Sequence, residues 1–218
     1  MPVINAQPRR KFLKTSLTLA TGLTALSSFA NDRHRSELGE GLFRIGPMEG
    51  YSPHIGTMVS MLNYNRDTVL KVTKNLSMEE LDHQFDQKSN SIGALLMHLG
   101  AVDKWYQINS FEGRFKFTKS EEKLWKAPMQ LGDLGRKEIK NHDWKYYADL
   151  ITEVRAKTLE EFKKKDDTWL LAVDPSFSKT ESINTYWKWF HVCEHESNHR
   201  GQITWLKGRL PGATEGKD

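Results

Sequence analysis

Apolar residues recur at helical spacing in four long segments of the chain, and polar or turn-forming residues separate them. The first segment runs from Ser52 to Leu76, and the second runs from about Ser91 to Ser110. A third begins after Asp143, a residue type that caps helix N-termini well. The fourth opens at the capping-box string "SKTE" (residues 178–181) and ends near Leu210. The pattern therefore predicts four amphipathic helices, each with one face buried.

These helices predict an all-α fold, with residues 51–210 forming one four-helix bundle. No stretch alternates apolar and polar residues as a half-buried strand does. The connection from 111 to 142 is too long for a helical hairpin. At about 3.3 Å per extended residue it can cross the bundle, so helices two and three can run parallel. Its apolar residues predict a short helix packed on the bundle: Leu124, Trp125, Met129 and Leu131.

Residues 1–30 have the features of an export signal. The pair Arg9 and Arg10 precedes the modestly apolar run "LTLATGLTALSSFA", in which small residues flank a cleavage position after Ala30. The segment resembles a twin-arginine translocation (Tat) signal peptide, which implies a periplasmic or secreted protein with no further membrane attachment. A cytoplasmic protein with a basic N-terminus and an uncleaved anchor stay open as alternatives. Residues 31–50 would form an N-terminal extension, and residues 211–218 a tail.

The charge and the cysteine content of the chain limit the kinds of function and cross-link that it can have. The chain has 32 Lys and Arg against 28 Asp and Glu, a net charge of +4. Four of the basic residues and none of the acidic ones lie in the predicted signal, so the remaining chain is neutral. Its charges are interspersed, which disfavours a nucleic-acid-binding surface. Cys193 is the only cysteine, so no disulfide can form within the chain.

Three histidines indicate a metal site. His195 and His199 lie four residues apart, so they share one helix face, which continues through Ile203 and Leu206. Two imidazoles on an inward face need polar partners, and a divalent metal would supply one. His98, on the inward face of the second helix, is the natural third ligand. Imidazole suits zinc, nickel, iron and copper alike. The alternative is that these histidines are hydrogen-bonded core residues.

Three neighbouring side chains are candidates for a supporting or catalytic role. His191 lies one turn before His195, where it would act as a base, serve as a fourth ligand, or pack against Trp187. Glu194 and Glu196 lie about 100° to either side of His195 around the helix. Either glutamate could accept a hydrogen bond from a ligand imidazole. The alternative for both is a solvated ion pair.

The same region contains two strings found in metallopeptidases. "HESNH" has the form H-E-x-x-H, and "HVCEH" has the form H-x-x-E-H. A further ligand would have to follow, but the one glutamate after His199 is Glu215, close to the chain end. A peptidase also needs an edge strand to hold its substrate peptide, and the pattern predicts no sheet. The peptidase interpretation is therefore disfavoured.

Two segments resemble the signature segments of the DinB-like superfamily, which includes the mycothiol- and bacillithiol-dependent S-transferases. They are "SNSIGALLMHLGAVDKWY", which contains His98, and "HVCEHESNHRGQITWLKG", which contains His195 and His199. The likeness covers most of residues 50–210. It implies a four-helix bundle of up-down-down-up topology that binds one divalent metal through three histidines. Matched to this chain, those ligands are His98, His195 and His199.

The thiols used by these S-transferases are cytosolic, so an exported protein would seldom meet them. The leading hypothesis is therefore an exported metal-dependent transferase or hydrolase whose small-molecule substrate the sequence does not identify. The first alternative is a non-enzymatic bundle that binds a metal or a small ligand. The second, if the chain is not exported, is a thiol-dependent S-transferase. Related bundles often pair through helix faces, which leaves a homodimer open.

Overall fold

The computed structural model describes residues 41–213, and their regular structure is helical. The helices are α1 (Pro53–Thr73), α2 (Met78–Asp82), α3 (Ile92–Glu112), α4 (Lys119–Gln130), α5 (Gly132–Glu138), α6 (Trp144–Phe162), α7 (Asp167–Leu171) and α8 (Thr185–Lys207). The one extended pairing within residues 41–213 is an isolated bridge between Val173 and Asn184. The all-α prediction is therefore confirmed. The predicted signal, half of the predicted extension and most of the predicted tail lie outside the described residues.

No helix in the described part of the chain is both long enough and apolar enough to span a membrane.

Most helix starts follow from local capping. The side chains of Ser91 and Asp143 accept hydrogen bonds from the backbone of the first turns of α3 and α6, as the sequence predicts. Ser77 and Glu80 form a complete capping box at α2. The first helix ends at Thr73, three residues earlier than predicted.

The predicted start of the fourth helix at residues 178–181 is wrong. Ser178 does accept a hydrogen bond from the backbone of Glu181, but that bond closes an isolated turn. Backbone pairing with residues 172–174 keeps residues 183–184 out of a helix, so α8 begins only at Thr185. Asn184 then caps α8, its side chain accepting a hydrogen bond from the backbone N–H of Trp187 at 2.8 Å.

Two glycines allow α3 and α6 to pack closely. A Cβ atom on Gly93 would lie 2.8 Å from the ring of Tyr147, and one on Gly100 would lie 3.2 Å from Ile151. A larger residue at either position would push the helices apart.

The crossover between α3 and α6 contains two helices, α4 and α5, where the sequence predicted one. Of its apolar residues, Trp125 is buried and Leu124 is 38% exposed.

Contacts between the long helices show their relative directions. Residues further along α3 contact residues further along α6: 93 contacts 147, 100 contacts 151, and 103 contacts 155. These two helices therefore run in the same direction. The same holds for α1 and α8: 65 with 193, 68 with 200, and 72 with 207. Along α3 and α8 the order reverses, because His98 contacts His195 whereas Asn109 contacts Lys188. The histidines of α3 and α8 therefore face each other across an antiparallel helix pair.

Candidate metal centre

The three histidines predicted as ligands lie together. One ring nitrogen from each of His98, His195 and His199 lies within 4.8 Å of the other two. The Nε2 atom of His195 is 3.3 Å from Nε2 of His98 and 3.1 Å from Nε2 of His199. All three side chains are half-buried. The arrangement brings together candidate ligands from two helices, at positions about a hundred residues apart in the chain.

Hydrogen bonds on the far side of two rings fix their orientation. Nδ1 of His98 donates to the carbonyl oxygen of Pro128 at 2.7 Å, and Nδ1 of His199 donates to Oε1 of Gln202 at 2.9 Å. A neutral imidazole that donates through Nδ1 carries its lone pair on Nε2. The Nε2 lone pairs of both rings therefore point toward His195. This is the way ligand histidines are usually held in metal sites.

The carbonyl of Pro128 is available because α4 ends two residues later. Leu131 has a φ of 53° and breaks the helix, so α5 begins a new axis. The N–H group of Gly132, which would bond this carbonyl in a continuous helix, donates to the side chain of Asn90 instead. The crossover thus supplies an acceptor to His98.

Burial keeps the three rings neutral. Desolvation lowers the pKa of His98 to about 4 and, together with the neighbouring histidines, lowers the pKa of His195 to about 3. Desolvation also lowers the pKa of His199. One N–H on His195 cannot satisfy two facing lone pairs, whereas a divalent cation would accept all three. The donor set therefore fits a metal ion.

His191 lies beside this cluster and is outside it. Its Nδ1 is 2.9 Å from Oε1 of Glu194, and its ring stacks on Trp187 with centroids 5.4 Å apart. The ring centroid of His191 is 5.8 Å from that of His195. The packing against Trp187 considered from the sequence is therefore present. Glu194 is exposed, and its contact with His191 is the solvated kind of pair.

The expectations for Glu196 are wrong. It is only 1% exposed, and its carboxylate binds Nε of Arg66 at 2.5 Å and a terminal nitrogen of Arg155 at 2.8 Å. Glu196 therefore neither contacts an imidazole nor forms a solvated ion pair. The reason is the position of Glu196 on α8. It lies about 100° around the helix from His195, so its side chain faces α1 and α6, which carry Arg66 and Arg155. Cys193 is buried, as expected, and accepts a hydrogen bond from Asn65.

Two further features of the site were not assigned from the sequence. One is the role of Gln202, which holds His199 and also lines a groove of about 460 Å³ together with Leu95, Asn198 and Trp205. The other is a set of buried charges around Glu196. Arg66, Asp103 and Arg155 fall at inward positions of otherwise apolar helix faces, and this signal could have revealed them.

Comparison with known proteins identifies the fold and the family of the chain. No curated protein matches the chain. Among solved structures, the chain is similar to a DinB-like protein from Bacillus cereus ATCC 10987, with 17% sequence identity and a TM-score of 0.53. That match covers 74% of this chain and 95% of the other, and it shows a shared fold. The family model described as mycothiol-S-transferase (MST) matches residues 57–212, well over half of the sequence. The chain therefore belongs to the mycothiol-S-transferase family, with a DinB-like fold.

Proposed function

We propose that this protein binds one divalent metal through His98, His195 and His199 and uses it to transfer a low-molecular-weight thiol to an electrophilic small molecule. The observation that carries the proposal is the convergence of three Nε2 atoms within 4.8 Å. Two of the three rings are held from behind with their lone pairs inward. The family match supports the reaction class. Zinc, nickel and iron all suit three imidazoles.

The frame that we propose for this site is a four-helix bundle of up-down-down-up topology. Its support is the direction of the helix contacts, in which α1 runs with α8 and α3 runs with α6. The antiparallel contact of α3 with α8 brings the ligands together. The crossover through α4 and α5 provides the backbone acceptor for His98.

The chain supplies a base next to the metal ligands. His98, His195 and His199 would hold the metal, which would supply a Lewis acid that lowers the pKa of a bound thiol or water. His191 directs Nδ1 to the carboxylate of Glu194, so its Nε2 is the nitrogen available to take the thiol proton. Glu194 then stabilises the imidazolium that forms. Stacking on Trp187 holds the ring beside His195.

The groove beside Gln202 is the place that we propose for the second substrate. Its volume of about 460 Å³ is within the range of small-molecule sites, and neutral amides and apolar side chains line it. Within residues 41–213, no charged side chain contributes to this lining. A neutral electrophile with an apolar body therefore fits better than an anion.

The transferase reaction can be tested with a fluorogenic chloromethyl electrophile. The thiol sulfur displaces chloride, a thioether forms, and the thiol proton passes to His191. We expect the protein loaded with zinc, nickel or iron to accelerate conjugation of mycothiol, bacillithiol or glutathione, and the metal-free protein to be inactive. His191→Ala should retain metal and lose about a hundredfold in rate. His54→Ala should match the wild type, because the exposed His54 ring contacts Tyr186, nine residues before His195 in α8.

Conjugation at the uncatalysed rate with every thiol and metal, in protein shown to be loaded, would contradict the transferase proposal. It would favour the alternative of a non-enzymatic metal-binding protein. Equal activity in His191→Ala and the wild type would instead remove the proposed base while leaving the metal-dependent reaction in place.

We also propose that the chain is exported, on the basis of Arg9, Arg10 and the apolar run that follows them. In that case the thiol that it transfers must be one present outside the cytoplasm, because mycothiol and bacillithiol are cytosolic. Cell fractionation of the full-length protein is the test. The wild type is expected in the periplasm at reduced mass, and the Arg9→Lys, Arg10→Lys variant is expected in the cytoplasm at full mass. Full-length wild type in the cytoplasm would contradict export, and a cytosolic thiol would then be directly available to the site.

A further inference from the structure

One charged side chain from each of the four long helices meets the others in the interior. Arg66 comes from α1, Asp103 from α3, Arg155 from α6 and Glu196 from α8. Their side chains are 7%, 0%, 4% and 2% exposed, in that order. Two positive and two negative charges cancel, so the group, here called the interior tetrad, is neutral as a whole.

Arg155 joins the two helices that carry the histidines. Its Nε donates to Oδ2 of Asp103 at 2.8 Å, and a terminal nitrogen donates to Oε2 of Glu196 at 2.8 Å. Arg66 donates to the other oxygen of Glu196 at 2.5 Å. The second oxygen of Asp103 accepts a hydrogen bond from Thr158 at 2.7 Å. Each carboxylate is therefore held at both oxygens.

The same two arginines reach the backbone of neighbouring helices. Arg155 also donates to the carbonyl oxygen of Leu62 in α1 at 2.9 Å. Arg66 donates to the carbonyl oxygen of Ile151 in α6. Contacts to fixed backbone positions define one register along the helix, because a shift of one residue would break them. Apolar side chains in the same place would tolerate such a shift more readily.

The two carboxylates lie close to the metal ligands in the chain. Glu196 directly follows His195, and Asp103 follows His98 by five residues. A side-chain atom about 5–6 Å from a helix axis moves by about 1 Å when the helix turns by about 10°. Metal–ligand distances tolerate deviations of only about 0.2 Å. A device that fixes the rotation of α3 and α8 therefore acts directly on the ligand geometry.

We propose that the interior tetrad is a positioning device for the metal centre. It sets the rotation and register of α3 against α8, and so places His98 at the correct distance from His195 and His199. The proposal rests on the proposed metal site. It also explains why four charges occupy the interior, where apolar residues of similar volume would often give equal or greater stability.

The test compares a variant without the interior tetrad with a control that loses stability at a buried position outside the interior tetrad. The first carries Arg66→Met, Asp103→Leu, Arg155→Met and Glu196→Leu, and the control is Leu170→Ala, a fully buried residue of α7. Zinc affinity is measured by chelator competition, and ligand geometry by the visible spectrum of the Co²⁺-loaded protein. Both are recorded where circular dichroism shows each protein to be folded.

We expect the variant without the interior tetrad to bind zinc about 10–100-fold more weakly than the wild type, with an altered Co²⁺ spectrum. Leu170→Ala should keep both properties of the wild type despite its lower stability. A folded variant with wild-type affinity and spectrum would overturn the proposal.

If the fourfold variant does not fold, the Arg155→Lys variant provides the test of the positioning role. The ammonium group of lysine has one nitrogen, whereas Arg155 bonds Asp103, Leu62 and Glu196 through three separate nitrogens in a planar group. The same spectral change with a smaller affinity loss is therefore expected. An unchanged affinity and spectrum in Arg155→Lys would overturn the proposal. Failure of the wild type to bind any metal would remove the proposed function as well, which distinguishes the two failures.

Discussion

Replacing Glu196 with alanine is expected to lower the free energy of unfolding by about 3–5 kcal/mol. Burial alone raises the pKa of Glu196, but Arg66 and Arg155 outweigh it and hold the pKa below its ordinary value. The side chain is therefore ionised in the folded protein. Its removal would leave two guanidinium groups inside the protein with Asp103 as the one remaining carboxylate.

Urea unfolding of the metal-free protein, followed by circular dichroism at a helix wavelength, measures this effect. Metal must be removed because binding to the folded state would add its own stabilisation. Glu194→Ala is the matched control: it lies on the same helix, is exposed, and should change stability by less than about 1 kcal/mol. Similar small losses in the two variants would contradict the importance assigned to the buried charges.

Replacing any one of His98, His195 and His199 with alanine is expected to weaken metal binding by at least about a hundredfold. Structural zinc binds with a free energy of about 10–16 kcal/mol, which divided among a few ligands corresponds to several kcal/mol for each ligand. The helices should remain folded, because the rings are half-buried and each lies next to solvent-accessible surface. Removal of a neutral buried imidazole leaves no unpaired charge behind.

His191→Ala is the control for the three ligand variants. Its ring binds Glu194 and stacks on Trp187, so its loss should change the metal dissociation constant by no more than about threefold. Chelator competition with zinc, at fixed pH and ionic strength, gives the comparison. A loss in His191→Ala as large as in the ligand variants would mean a site of four histidines, and the open position for a thiol would be gone.

Helix capping explains which parts of the fold could be predicted from sequence. The caps at Ser91 and Asp143 use side chain and backbone within one turn, so the sequence contains the whole interaction. The string at Ser178 looks the same locally, and its serine does make the expected bond. What prevents a helix there is pairing with residues 172–174, and no local pattern reveals that contact.

The same distinction applies to the metal centre. Histidines at apolar-face positions of two helices were sufficient to predict their meeting, because inward faces must share a core. The partner of His98 was not predictable, since Pro128 offers its carbonyl only because the chain breaks helix α4 at Leu131. Glu196 was misassigned because its arginine partners lie 41 and 130 residues away in sequence.

The most direct test of the metal centre is the metal content of the purified protein, measured by elemental mass spectrometry. The wild type and the His98→Ala, His195→Ala double variant are compared after zinc, nickel and iron have each been offered. We predict close to one metal ion per chain in the wild type and close to none in the double variant. A folded wild type that retains none of the three metals would contradict the metal centre, and the histidines would then be core residues with no catalytic role.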